Sequence, residues 1–126
     1  MLRRLTIRDF VLVDRLELEF STGFGVLTGE TGAGKSILVD ALAFVLGERA
    51  DAGLVRNGSE RAEVGASFEL DNAPAAVEWL RAQDLDAEGE LILRRVVDAG
   101  GRSRAYINGS PADVQQLRAL GEFLVD

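Results

Sequence analysis

Residues Gly29 to Ser36 read Gly-Glu-Thr-Gly-Ala-Gly-Lys-Ser, which satisfies all four specified positions of G-x-x-x-x-G-K-[ST]. Glycines at 29, 32 and 34 leave no Cβ between main chain and ligand, so successive N–H groups can turn inward around phosphate oxygens. Lys35 then supplies an ammonium for the β- and γ-phosphates, and Ser36 a hydroxyl for Mg²⁺. The flanks fit the motif. Gly25-Val26-Leu27-Thr28 reads as a short buried strand entering a tight loop. The run after Lys35, with Ile37, Ala41 and Val45 and then Leu38, Leu42 and Leu46 recurring every four residues, reads as a helix that is apolar over most of its surface. Gly47 stands where a left-handed cap would end it. The sequence therefore predicts a phosphate loop between a strand and a buried helix whose positive end faces a nucleoside triphosphate.

The two runs ahead of the motif, Leu2 to Ile7 and Arg15 to Phe20, have strand character; in the second, Leu16, Leu18 and Phe20 alternate with Arg15, Glu17 and Glu19. A hairpin before the loop points to an α/β P-loop fold of the ABC-type ATPase kind, a head lobe with a mixed sheet and an antiparallel β arm. Glu48 to Glu60 is a charged, glycine-rich loop. Arg61 to Leu70 is a strand with Ala62, Val64, Ala66, Phe68 and Leu70 on one face. Pro74 opens a helix that carries Val77, Trp79 and Leu80. Glu90 to Val97 and Arg102 to Ile107 form a hairpin about Ala99-Gly100-Gly101, Asn108-Gly109 marks another turn, and Pro111 to Leu120 is expected to be helical. The organisation expected is one lobe over residues 1–126, with strands and phosphate loop in 1–47 and a loop and β/α arm in 48–126.

Charge and composition narrow the function. With 14 basic and 21 acidic residues the net charge is −7, so bulk charge does not make this segment a nucleic-acid clamp. Lys35 is the single lysine. No cysteine is present for disulfides or thiolate metal sites, and the longest apolar run, Ile37 to Leu46, falls short of the ~20 residues of a membrane span. A cytoplasmic chain without a membrane partner is expected.

Hydrolysis requires an acidic residue at a strand end to order Mg²⁺ and a base to position water. Asp98 and Asp126 both imitate that position. A hairpin arm accounts better for Asp98, and Asp126 has no residue after it to act as base, so the catalytic carboxylates are expected elsewhere. Arg56, in Gly53-Leu-Val-Arg56-Asn-Gly58, is either a loop arginine folded back over the phosphates or a solvated one. Arg94, Arg95, Arg102 and Arg104 cluster on one hairpin, as a DNA contact or as a solvated sheet face.

Leu27-Thr-Gly-Glu-Thr-Gly-Ala-Gly-Lys-Ser-Ile37, with Asp40-Ala-Leu and Phe44-Val-Leu-Gly47, resembles the N-terminal head segment of the RecN family, bacterial DNA double-strand-break repair ATPases related to the SMC proteins. Leu5 to Asp14, Leu16 to Phe20, Arg104 to Gly109 and Gln116 to Gly121 extend the likeness over nearly the whole chain. Glu30 and Thr31 set it apart from general SMC heads. The resemblance implies ATP and Mg²⁺ as ligands, bound by Gly29, Glu30, Thr31, Gly32, Ala33, Gly34, Lys35, Ser36 and Ile37, with Ser36 on the metal. It implies catalytic roles for Lys35 and Arg56, a partner C-terminal half of the same head that supplies the remaining catalytic groups, and a second head that completes an ATP-sandwiched homodimer. DNA would be engaged by the full-length protein in a nucleoid-associated setting. Val11 stands where several SMC relatives carry a basic residue for nucleotide contact, and Arg8 is the nearest alternative. Two rival readings are an ABC-type ATPase of another system and a nucleotide-switched dimerisation module with little hydrolysis.

Overall fold

The computed structural model describes residues 2–20, 32–71, 73–85 and 89–124; for residues 32–36 it describes the backbone alone. Strands β1 (Leu2–Phe10) and β2 (Val13–Glu19) form the opening hairpin. Helix α1 (Gly32–Val45) follows, then a single 3-10 turn at Ala52–Leu54 and strand β3 (Arg61–Glu69). Helix α2 (Pro74–Ala82), the three strands β4 (Glu90–Asp98), β5 (Ser103–Ile107) and β6 (Ser110–Ala112), and helix α3 (Val114–Leu124) complete the elements of the described residues. The six strands make one sheet in the order β2-β1-β3-β4-β5-β6, antiparallel at every pairing. The strand expected at Gly25 to Thr28 lies outside the described residues.

Alternation along the strands selects the buried face. Leu5 and Ile7 of β1, Ala62, Val64 and Ala66 of β3, Leu91, Leu93 and Val97 of β4, and Ala105 and Ile107 of β5 are all buried. They form one core with Leu38, Ala41, Phe44 and Val45 of α1, Ala76 and Leu80 of α2, and Leu117 and Leu120 of α3. The face of β3 read from sequence, Ala62, Val64, Ala66, Phe68 and Leu70, is the face the fold buries. Removing these side chains from water is the main stabilising term, at roughly 1.5–3 kcal/mol for each large aliphatic or aromatic group.

Two expectations are corrected. Helix α1 lies against β3 and β4, and a helix resting on a single sheet buries one stripe of its surface. Val39 is accordingly 64% exposed, with Asp40 exposed beside it, so α1 is not covered all round by the described residues. Pro111 does not begin a helix. It lies in β6, an edge strand where a missing N–H costs no ladder bond. The turn before it is built by Asn108 and Gly109, at φ +50° and +85°, which joins Ile107 to its partner Ser110 with two residues. Helix α3 starts after Asp113, whose carboxylate accepts from the Gln116 N–H (2.8 Å) while the Gln116 side chain accepts from the Asp113 N–H (2.9 Å). That reciprocal pair is a capping box.

Candidate functional site: helix α1 and its anchors

Gly29, Glu30 and Thr31 lie outside the described residues. Gly32, Ala33, Gly34, Lys35 and Ser36 form the opening of α1, with their backbone alone described, and Ile37 is half-buried against the core. Because α1 opens inside the motif, amides of the motif fall among the N–H groups that find no acceptor within a helix. That end carries partial positive charge. Helix ends of this kind commonly bind phosphate, and glycine allows close approach of a ligand to the backbone.

The opposite end of α1 is fixed by a set of contacts that periodicity alone does not reveal. Gly47 takes φ +110°, the Glu48 N–H donates to Ala43 O (2.9 Å) and the Gly47 N–H to Phe44 O (3.2 Å). This is a Schellman closure with glycine at the left-handed position. Arg95 then reaches the same end from β4. Its Nη1 donates to Phe44 O (2.7 Å) and also to Glu48 O, and its guanidinium carbon stands 4.6 Å from the centre of the Phe44 ring. Arg118 of α3 donates through Nε to Gly47 O (2.9 Å). Two cations thus meet the negative end of the helix dipole.

Arg95 is 1% exposed, so the sequence expectation of a solvent-facing arginine cluster on the β4–β5 hairpin fails for it. The reason is register: Arg95 lies opposite Val64 and Ala105, in the buried row, whereas Arg94 lies opposite Gly65 and Tyr106 on the open face. Arg94 makes two bonds to Glu63 at 2.9 and 3.2 Å and sits 5.1 Å from the Tyr106 ring centre. The bond to Glu63 raises the Arg94 pKa above the usual arginine value. Burial lowers that of Arg95, and neighbouring Arg118 acts in the same direction, against the opposing pull of Glu48. Arginine remains protonated in proteins, so the buried guanidinium is charged. Its Nε has no hydrogen-bond partner among the described residues, and Ser103 Oγ is a long 3.5 Å from Nη2.

A second chain of contacts runs from Phe44 toward the loop that holds Arg56. Phe44 meets Phe10 with ring centres 5.6 Å apart. Phe10 forms a β-bridge with Val55, the Arg56 N–H donates to Asp9 O (2.8 Å), and the Val11 N–H donates to Leu54 O (2.7 Å). The tip of the first hairpin is therefore tied to the Ala52–Leu54 turn, with Asp9 and Val11 held at φ +50° and +54°. The Arg56 side chain is 42% exposed and faces Asp9 at 3.9 Å and Asp14 at 3.8 Å. Those separations are too long for hydrogen bonds.

Asp98 serves the β4–β5 turn. Its Oδ1 accepts from the Gly100 and Arg102 N–H groups at 2.9 and 3.0 Å. Asp126 lies outside the described residues, and Phe123 and Leu124 ahead of it are helical, as a Mg²⁺-ordering strand end would not be. No group of three or more histidine, cysteine or acidic side chains among the described residues is arranged to hold a metal. No helix among them is long and apolar enough to cross a membrane.

Known proteins agree with this architecture. The family described as RecF/RecN/SMC N terminal domain matches residues 1–123. DNA repair protein RecN of Vibrio cholerae serotype O1 is 49% identical over 126 residues, covering 100% of this chain and 23% of that protein. RecN of Bacillus subtilis is 36% identical over 127 residues, covering 100% of this chain and 22% of that protein. The chain thus spans about a quarter of the length of these relatives. Among solved structures, one from work on ATP-driven dimerization and DNA stimulated activation of SMC ATPases aligns with a TM-score of 0.73 at 27% identity, covering 94% of this chain and 76% of that one. The Smc head domain of Pyrococcus furiosus, bound to the C-terminal domain of ScpA, aligns at 0.72 and 25% identity over 94% of this chain and 32% of that one. With the family matched over nearly its whole length and the SMC head fold in its sheet and helices, the chain belongs to the RecF/RecN/SMC N-terminal domain family.

Proposed function

We propose that this chain is the N-terminal lobe of a RecN-type ATPase head, which binds Mg²⁺-ATP through Gly29 to Ile37 and acts in the repair of DNA double-strand breaks and in recombination. The observation that carries the reading is a complete phosphate-binding motif in the sequence whose residues Gly32 to Ser36 open α1, in a chain 49% identical to a RecN along all 126 of its own residues. ATP would rest its phosphates on the motif's amides, with Lys35 on the β- and γ-oxygens. In P-loop NTPases Mg²⁺ is held by the loop's Ser or Thr together with an Asp, and Ser36 would supply the first of these. The metal would neutralise charge on the transferred phosphoryl group. The C-terminal half of the head would supply the Mg²⁺-ordering and water-activating carboxylates, and a second head would close over the nucleotide.

Arg56 belongs to this reading as a transition-state partner. Its long contacts to Asp9 and Asp14 hold the guanidinium near the first hairpin without binding it tightly, which leaves it able to exchange a carboxylate for a phosphate. One set of rate measurements tests the reading. The 126-residue chain should turn over ATP at a trace rate, rising by orders of magnitude when the C-terminal half is added. In the reassembled head Arg56→Ala should lower turnover much more than ATP affinity. Robust hydrolysis by the chain alone would contradict the division of catalytic groups, and unchanged turnover in the variant would return Arg56 to a solvated loop residue.

A further inference from the structure

An arginine in the buried row of a sheet is a poor choice for stability alone. Desolvating a charge is expensive, and an apolar side chain of similar size at such a site is often neutral or stabilising. Position 95 alternates with Leu91, Leu93 and Val97, all fully buried, so the pattern of β4 itself would accept an aliphatic residue. Apart from a long 3.5 Å contact to Ser103 Oγ, Arg95 instead directs its hydrogen bonds at the end of α1. Nη1 bridges Phe44 O and Glu48 O, on either side of Gly47, and the guanidinium lies over the Phe44 ring. Arg118 holds Gly47 O between them. A methyl group at Gly47 would stand 2.6 Å from Arg118 Cγ and 3.2 Å from the Arg118 nitrogen, so α3 fits closely against the same end.

We infer that Arg95 is a positioning residue for the phosphate loop: by holding the Phe44 and Glu48 carbonyls it fixes α1 along its axis against β4, and so sets where Gly34, Lys35 and Ser36 stand at the other end. This rests on the proposed nucleotide function. A helix of 14 residues is about 21 Å long and moves as a rod, so a shift at its C-terminal end reappears at its N-terminal end. Apolar contacts with the sheet resist separation of the helix but discriminate weakly between neighbouring positions along its axis, because they are non-directional. Hydrogen bonds from Nη1 to the Phe44 and Glu48 carbonyls do discriminate, because they have direction as well as distance. Phe44 O also accepts from the Gly47 N–H, so removal of Arg95 leaves that carbonyl partnered and need not unfold the helix end.

The test uses the complete protein, as wild type and as Lys35→Ala, Arg95→Met and Arg95→Lys, with thermal melting, the calorimetric dissociation constant for Mg²⁺-ATP and steady-state turnover measured on each. Arg95→Met should melt at or near the wild-type temperature, bind ATP about tenfold more weakly and turn over about a hundredfold more slowly, since misplacement of about 1 Å costs on that order in rate. Arg95→Lys keeps the cation, but its ammonium ends one bond short of the Nη1 that holds both carbonyls, so it should recover only part of the affinity. A folded Arg95→Met with wild-type affinity and turnover overturns the inference. Should Arg95→Met fail to fold, Arg95→Lys decides: normal melting with weakened binding supports the inference, and normal binding overturns it. If wild type does not bind ATP, or binds it no better than Lys35→Ala, the proposed function fails and this inference with it. Sensitivity to Lys35→Ala combined with indifference at Arg95 removes the inference alone.

Discussion

Gly47 combines two requirements that no other residue meets. Its φ of +110° is closed to side chains in the L configuration, and a Cβ there would press into Arg118 at 2.6 Å. Gly47→Ala should therefore destabilise the protein by about 1–3 kcal/mol, visible as a lowered melting temperature; an unchanged melt would mean that α1 does not end as described. The cap was legible in the sequence, because an apolar helical run closed by glycine has few other readings. Arg95 was not read correctly, although its signal was present. Leu91, Leu93, Arg95 and Val97 share one phase of a strand, and the pairing of Arg95 with Arg94 as two adjacent charges hid the fact that neighbours on a strand face opposite ways.

The β4-β5-β6 meander shows which turns carry information. Asn108 accepts from the Ile92 N–H through Oδ1 and donates to Leu85 O through Nδ2, both at 2.8 Å, while its backbone takes the left-handed conformation that Asn tolerates. Asn108→Ala should cost about 2 kcal/mol by losing two hydrogen bonds and that conformational tolerance. Arg94→Ala, which removes an exposed pair with Glu63, should cost at most about 1 kcal/mol. Equal losses in chemical denaturation would contradict this ranking. Hairpins were readable from sequence because turn chemistry and alternation are local. The start of α3 differs from the sequence expectation by a few residues because proline at 111, a residue common at helix openings, lies here in an edge strand. Asp113 and Gln116, spaced as a capping box, mark the true start.

Strand order is where the sequence falls silent. β3 pairs with β1 across the whole first helix, and such non-local pairings leave no trace in periodicity. What the order accomplishes is to bring β4, and Arg95 with it, under the C-terminal end of α1, while the β1–β2 hairpin reaches the loop of Arg56. The G-x-x-x-x-G-K-S pattern is legible because its glycines, lysine and serine are adjacent in sequence. The groups that anchor its helix come from β4 and α3, some fifty to seventy residues away, and only the fold brings them together. On the proposed function, the sheet and the three described helices would serve to present one end of α1 to a phosphate. Calorimetric titration of Mg²⁺-ATP into the complete protein, as wild type and as Lys35→Ala, with melting temperatures measured on the same samples, tests this most directly. Loss of a charge-assisted contact worth roughly 3 kcal/mol should weaken binding about a hundredfold with the melt unchanged. A folded Lys35→Ala that binds ATP as tightly as wild type would contradict it.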